Sequence, residues 1–147
     1  MKNIQCDKRW SDYLIVKGKN GTSIGEIGCL LTCISNILNE RGIEHTPLSL
    51  CKQLQDNGGF DSQGYIQWGV LYNLYKIKQA KYLYPDMPLF SDNPKKYWIA
   101  QVVYQNTGHF CEITRTSGIN LYYFDTYYGI EKIASNNIIS IREIEFV

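Results

Sequence analysis

Histidine is scarce in this sequence: only His45 and His109 occur. That scarcity bounds the chemistry. No Cys-x-x-Cys occurs, and Cys29 and Cys33, four apart, are followed by no second pair of cysteines or histidines. The spacings that structural zinc prefers are therefore missing, and no metal or cofactor is expected. Charge of one sign is lacking too. Fifteen Lys and Arg against fourteen Asp and Glu leave +1 at pH 7. That balance gives no electrostatic footprint for nucleic acid or an acidic membrane surface. The densest basic spot, Lys95-Lys96, is expected to be a solvated surface pair. No apolar run approaches the ~20 residues that span a bilayer. Met1-Lys2-Asn3-Ile4-Gln5 has none of the apolar character of a signal peptide. The expectation is a cytosolic protein, released by lysis or carried by a partner or a virion if it leaves the cell. No repeat, low-complexity tract or linker divides the chain, so 1–147 reads as a single domain.

The five cysteines, Cys6, Cys29, Cys33, Cys51 and Cys111, are odd in number and follow no secretory signal. A disulfide framework is not expected, and most of these thiols should be small buried apolar groups. What the chain has in excess is aromatics, with twelve Tyr and three Trp. Such residues build a core or line a peptide groove, and composition does not choose between the two.

The strongest periodic signal starts at Cys29. Leu30, Leu31, Ile34, Ile37 and Leu38 make one apolar stripe at helical spacing, ending near Arg41-Gly42. A second helix is expected from Thr46-Pro47, with Thr as cap and Pro at the first position. It carries Leu48, Leu50, Cys51 and Leu54 and stops before Asn57-Gly58-Gly59. A third is expected over about Ser62 to Tyr75. Residues 85–95, with Pro85, Pro88 and Pro94, read as a loop, and Asp86 and Asp92 there as solvated. The remainder reads as strands: Tyr97–Tyr104, His109–Thr114, Ile119–Asp125 and Ile138–Phe146. Helices first and an antiparallel sheet after them is an α+β arrangement.

Cys29 follows Gly25 and Gly28 and opens the first helix. A thiol there meets the positive end of the helix dipole and the free N–H groups of the first turn. Both favour the thiolate, the nucleophilic form, and the same N–H groups can hold an oxyanion. Gly28 leaves room for a substrate backbone. Taken alone, Cys29 reads more readily as a buried structural cysteine. A register argument brings in two more residues. If Thr116 to Gly118 form a three-residue hairpin loop, Arg115 pairs with Ile119, and His109 then falls opposite Asp125 on one sheet face. A carboxylate so placed orients an imidazole whose other nitrogen serves a thiol. A two-residue loop shifts the register by one and separates them. His45 is the other candidate base, expected in an exposed connection.

Gln5, Asp7 and Trp10, then Ser23-Ile24-Gly25, Gly28-Cys29, Gly108-His109-Phe110, and Asp125 with Gly129 occur in an order that resembles the papain-like cysteine peptidases of the bacteriocin-processing type. Their stand-alone bacterial and phage relatives are the most similar. Pro47-Leu48-x-Leu50 and Gly58-Gly59-Phe60 are similar as well, and the likeness runs from Gln5 to Gly129. Asp125-Thr126 stands where the family often has Asp-Pro. The resemblance implies a papain-like fold and a cysteine hydrolase of peptide bonds. In that reading Cys29 is nucleophile, His109 base, Asp125 orienting residue, and Gln5 an oxyanion-hole amide. Peptidoglycan stem peptides, a leader after paired glycines, or a host protein are the substrates it brings into view. Two rival readings remain. One is a degenerate site used as a binding module, with Tyr122-Tyr123 and Tyr127-Tyr128 on a partner surface. The other is a structural or virion component.

Overall fold

The computed structural model describes residues 2–83, 93–104, 107–117, 120–134 and 138–147. The helices come first: α1 (Ile24–Ile27), α2 (Cys29–Glu40), α3 (Pro47–Asp56) and α4 (Trp68–Tyr75). Among the described residues six strands follow: β1 (Ile77–Leu83), β2 (Lys96–Tyr104), β3 (Thr107–Ser117), β4 (Asn120–Asp125), β5 (Ile130–Ile133) and β6 (Ile138–Phe146). They form one antiparallel sheet in the order β1-β6-β2-β3-β4-β5. The architecture is α+β. No helix among the described residues is long and apolar enough to cross a membrane.

Local chemistry sets most of the boundaries. Thr46 caps α3 through a reciprocal pair of hydrogen bonds with Ser49, and Pro47 takes the first turn, where its missing N–H costs nothing. After Arg41 at the end of α2, Gly42 takes φ +80°, the left-handed conformation that glycine adopts without strain. The third helix is shorter than its apolar spacing suggests. Gly64 lies at φ +88°, and Phe60 and Ile66 form an isolated bridge, so helix begins only at Trp68. Of the expected loop over 85–95, residues 84–92 lie outside the described residues, as do Asp86 and Asp92. Lys96 is no free surface charge, since its ammonium reaches Glu143 at 3.3 Å and Glu145 at 3.8 Å.

Alternation along the strands divides the apolar side chains between the two sheet faces. Ile99, Ile144 and Phe146 pack with Leu31, Ile34, Ile37, Leu38, Leu50, Leu54 and Leu71 from the helices. Trp98, Ala100, Val102, Cys111, Ile113, Tyr123 and Ile141 form a second, smaller cluster. Leu38 is fully buried in the first. Leu38→Ala is expected to lower stability by about 2–5 kcal/mol, read as a shifted urea midpoint with an unchanged slope.

The amino-terminal segment ties the layers together. Lys2 reaches Glu40 of α2 at 2.6 Å and Glu112 of β3 at 2.7 Å. The Asn3 N–H donates to Asn36 Oδ1, and Asn36 Nδ2 donates back to the Asn3 carbonyl. The Gln5 N–H donates to the Thr126 carbonyl at 2.8 Å. Buried Asn36 on α2 is thus satisfied by backbone from another part of the chain.

Candidate active site

Cys29 is the first residue of α2. Gly28 takes the cap position and offers no side-chain acceptor, so the first-turn N–H groups have no side-chain cap. Gly28 is required for a local reason rather than to admit a ligand. A Cβ there would fall 2.5 Å from the Ile24 carbonyl oxygen, which accepts the Gly28 N–H at 2.8 Å. Gly28→Ala is therefore expected to displace the α1–α2 junction. The result should be a lower melting temperature together with slower alkylation of Cys29, in a fluorescence melt and a timed thiol-labelling assay. Cys29 and Cys6 are partly exposed, whereas Cys33, Cys51 and Cys111 are buried.

His109 enters from β3. Its Nε2 donates to Asp125 Oδ1 at 3.0 Å, and the thiols of Cys111 and Cys29 are near enough to help raise its pKa. Asp125 ends β4 and is almost fully buried. Its Oδ1 also accepts the Tyr127 N–H at 2.9 Å, and its Oδ2 accepts the Lys132 ammonium at 2.8 Å. The Asp125 carbonyl accepts the Gly129 N–H at 2.8 Å, and Gly129 closes that turn at φ +73°. Tyr127, half exposed, sets its ring edge-on to the imidazole, with centroids 6.4 Å apart.

The pairing that brings His109 to Asp125 is not the one expected. Ser117 pairs with Asn120 and Arg115 with Tyr122, so the hairpin has a two-residue connection. That register alone would put His109 and Asp125 on opposite faces. Between Arg115 and Ile113 the register shifts by one, and Ile113 pairs with Tyr123, Glu112 with Phe124. The β-bulge restores the parity. Extended by one step, the pairing brings Asp125 level with Cys111, and His109, two residues back on the same face, is a diagonal neighbour. Cys111 therefore shares the site, a residue the sequence reading left among the buried thiols. Its signal was present: it lies two residues from His109 on a strand, where side chains share a face.

Electrostatics follow from these contacts. Burial opposes charge on His109, but the bond to Asp125 and the thiols of Cys111 and Cys29 outweigh it and hold the imidazole well above its usual range. Burial would raise Asp125, yet His109, Lys132 and the Tyr127 N–H hold its carboxyl well below the usual carboxylate range. Burial pushes the Cys111 thiol up, against the pull of His109. Cys33 is driven up further by burial, with Cys111 and Cys29 adding to it. The site thus sets an imidazole of raised pKa between a carboxylate and thiols, of which Cys29 alone is partly open to solvent. His109, Cys111 and Asp125 have ligand atoms within 4.8 Å of one another. The Asp125 oxygens are already engaged, one by an ammonium, which disfavours a cation there.

The other candidates lie elsewhere. Gln5 is buried; its Nε2 donates to the Gly25 carbonyl at 3.0 Å, and its Oε1 has no partner among the described residues. One N–H of that amide is thus committed to α1, the one-turn helix just before α2. Asp7 pairs with Arg9 at 2.7 Å, and Trp10 is a core residue whose Nε1 donates to the Ile4 carbonyl. His45 is not in an exposed connection. It is half-buried, with Nδ1 on Ser49 Oγ at 3.0 Å and Nε2 on the Tyr75 hydroxyl at 3.1 Å. It clamps α3 to α4, and burial lowers its pKa.

No protein-family model and no curated protein matches this chain. The chemical reading therefore rests on the geometry just described.

Proposed function

We propose that the chain is a papain-like cysteine hydrolase of peptide bonds. The observation that carries this is His109: its Nε2 is held at 3.0 Å by a buried carboxylate, and Cys29, which helps raise the pKa of that ring, opens an uncapped helix N-terminus. Asp125 fixes ring orientation and favours the imidazolium, the state that accompanies a thiolate. Attack by the Cys29 sulfur on a substrate carbonyl forms a C–S bond and an oxyanion. The first-turn N–H groups of α2, with the second amide hydrogen of Gln5, supply donors for that charge. His109 then passes its proton to the departing amine, and the C–N bond breaks to leave an acyl-enzyme. Water, deprotonated by His109, releases the acid and restores the thiol.

The substrate class is a peptide or protein; stem peptides of bacterial cell walls and leader peptides are the first to try, and the origin would then be bacterial or phage. The decisive experiment compares wild type with Cys29→Ala on a peptide library and on purified cell walls. Hydrolysis that persists in the variant removes Cys29 as nucleophile.

A further inference from the structure

We propose that Lys132 is a positioning residue of the site, which fixes the second oxygen of Asp125 and sets the charge that His109 experiences. This deepens the hydrolase reading and rests on it. Lys132 lies on β5, beyond Asp125 as seen from His109, and the pairing of Tyr123 with Lys132 and of Asp125 with Ile130 puts Lys132 and Asp125 on one sheet face. Its ammonium donates to Asp125 Oδ2 at 2.8 Å and lies 4.8 Å from the centre of the Tyr128 ring. Asp125 Oδ1 is taken by His109 and by the Tyr127 N–H. Both carboxylate oxygens are therefore held, from opposite sides, and the carboxyl plane has one orientation.

The charged and titratable groups around Asp125 come from three elements. His109 and Cys111 face Asp125 from β3, Cys29 meets the ring from α2, and Lys132 faces Asp125 from β5. Without Lys132 the imidazole would see an unbalanced carboxylate. With it, the carboxylate keeps its aim while much of its field is neutralised. The imidazolium is then less tightly held, which suits a group that must give up its proton in acylation and recover it in deacylation. Lys132 carries no signal in the sequence, because nothing in the order of residues shows that β5 pairs with β4.

The test needs no substrate. The rate of Cys29 alkylation by iodoacetamide is followed against pH, by mass spectrometry of the labelled peptide, in wild type, Lys132→Met, Lys132→Gln and Lys132→Arg. Circular dichroism confirms that each is folded. Loss of a positive charge near the thiolate–imidazolium pair raises the pH needed to form it. The rise in alkylation rate in Lys132→Met is expected to move up by about 0.5–1 pH unit, after discount for partial exposure. Lys132→Arg keeps the charge and should return the curve to the wild-type position, and Lys132→Gln, a donor without charge, should stay with Lys132→Met. Superimposable curves for all four proteins overturn the role of Lys132 and leave the hydrolase reading intact. A wild-type Cys29 no more reactive than Cys6 overturns both. Should Lys132→Met fail to fold, the comparison of Lys132→Gln with Lys132→Arg carries the same decision.

Discussion

Cys29→Ala is expected to abolish peptide hydrolysis, with a loss of about 10⁴–10⁶ in kcat, while the fold is kept. The magnitude follows from the role proposed for the sulfur. Removing the nucleophile of a covalent mechanism removes the pathway, and what survives is binding and oxyanion stabilisation acting on water. The variant should keep its melting temperature to within a few degrees, since the side chain is partly exposed and Ala is the better helix former. A wild-type control belongs beside it: iodoacetamide near neutral pH should label Cys29 well ahead of Cys6, the other partly exposed thiol, and far ahead of buried Cys33, Cys51 and Cys111. Equal labelling of Cys6 and Cys29 would contradict an activated thiolate.

Asp125→Asn should be nearly as damaging, with about 10²–10⁴ lost in kcat and a smaller change in KM. Here pH gives a second readout. The Asp125 carboxyl is held below its usual range, so its contribution to stability is present above the ~3.9 of an unfolded chain and is lost as pH falls through the folded value. His109 is held above its usual range, so its contribution is full below the ~6.5 of an unfolded chain and is lost as pH rises through the folded value. Both contributions are complete between about pH 4 and about pH 6.5. The stability gap between wild type and Asp125→Asn should be widest in that window and narrow towards about pH 9, measured as urea midpoints. A gap that is constant across this range means that His109 and Asp125 are not an ion pair in the folded protein.

Parts of this arrangement can be read along the chain because they depend on neighbours in sequence. The start of α2 at Cys29, its end at Gly42 and the Thr46-Pro47 cap are local events, with period and punctuation that need no tertiary knowledge. One local signal went unread: Ser23 and Glu26 form a capping pair, with Ser23 Oγ donating to Glu26 Oε1 at 2.8 Å, and they open the one-turn α1. Gly64 could have been weighed as a break rather than a weak point in a helix.

The unread strands have a different cause. β1 is mostly polar on its exposed side, and β5 has four residues, too few to show an alternation. The meeting of His109 with Asp125 follows from an incorrect hairpin register: the observed turn shifts the pairing by three residues, and the bulge between Ile113 and Arg115 shifts it back by one. Two differences of opposite sign cancelled in parity but not in position. That is why Cys111, rather than His109, lies level with Asp125, and why Lys132 was out of view.

The order of the elements has a consequence for synthesis. The half with the sulfur leaves the ribosome well before the strands with the imidazole and the carboxylate, and the Lys2 and Gln5 contacts to Glu112 and Thr126 join the first residues made to strands made much later. An unfinished chain therefore holds a bare thiol with no proton acceptor beside it. In the mechanism proposed above, the thiol would gain its proton acceptor only once the later strands have folded against α2.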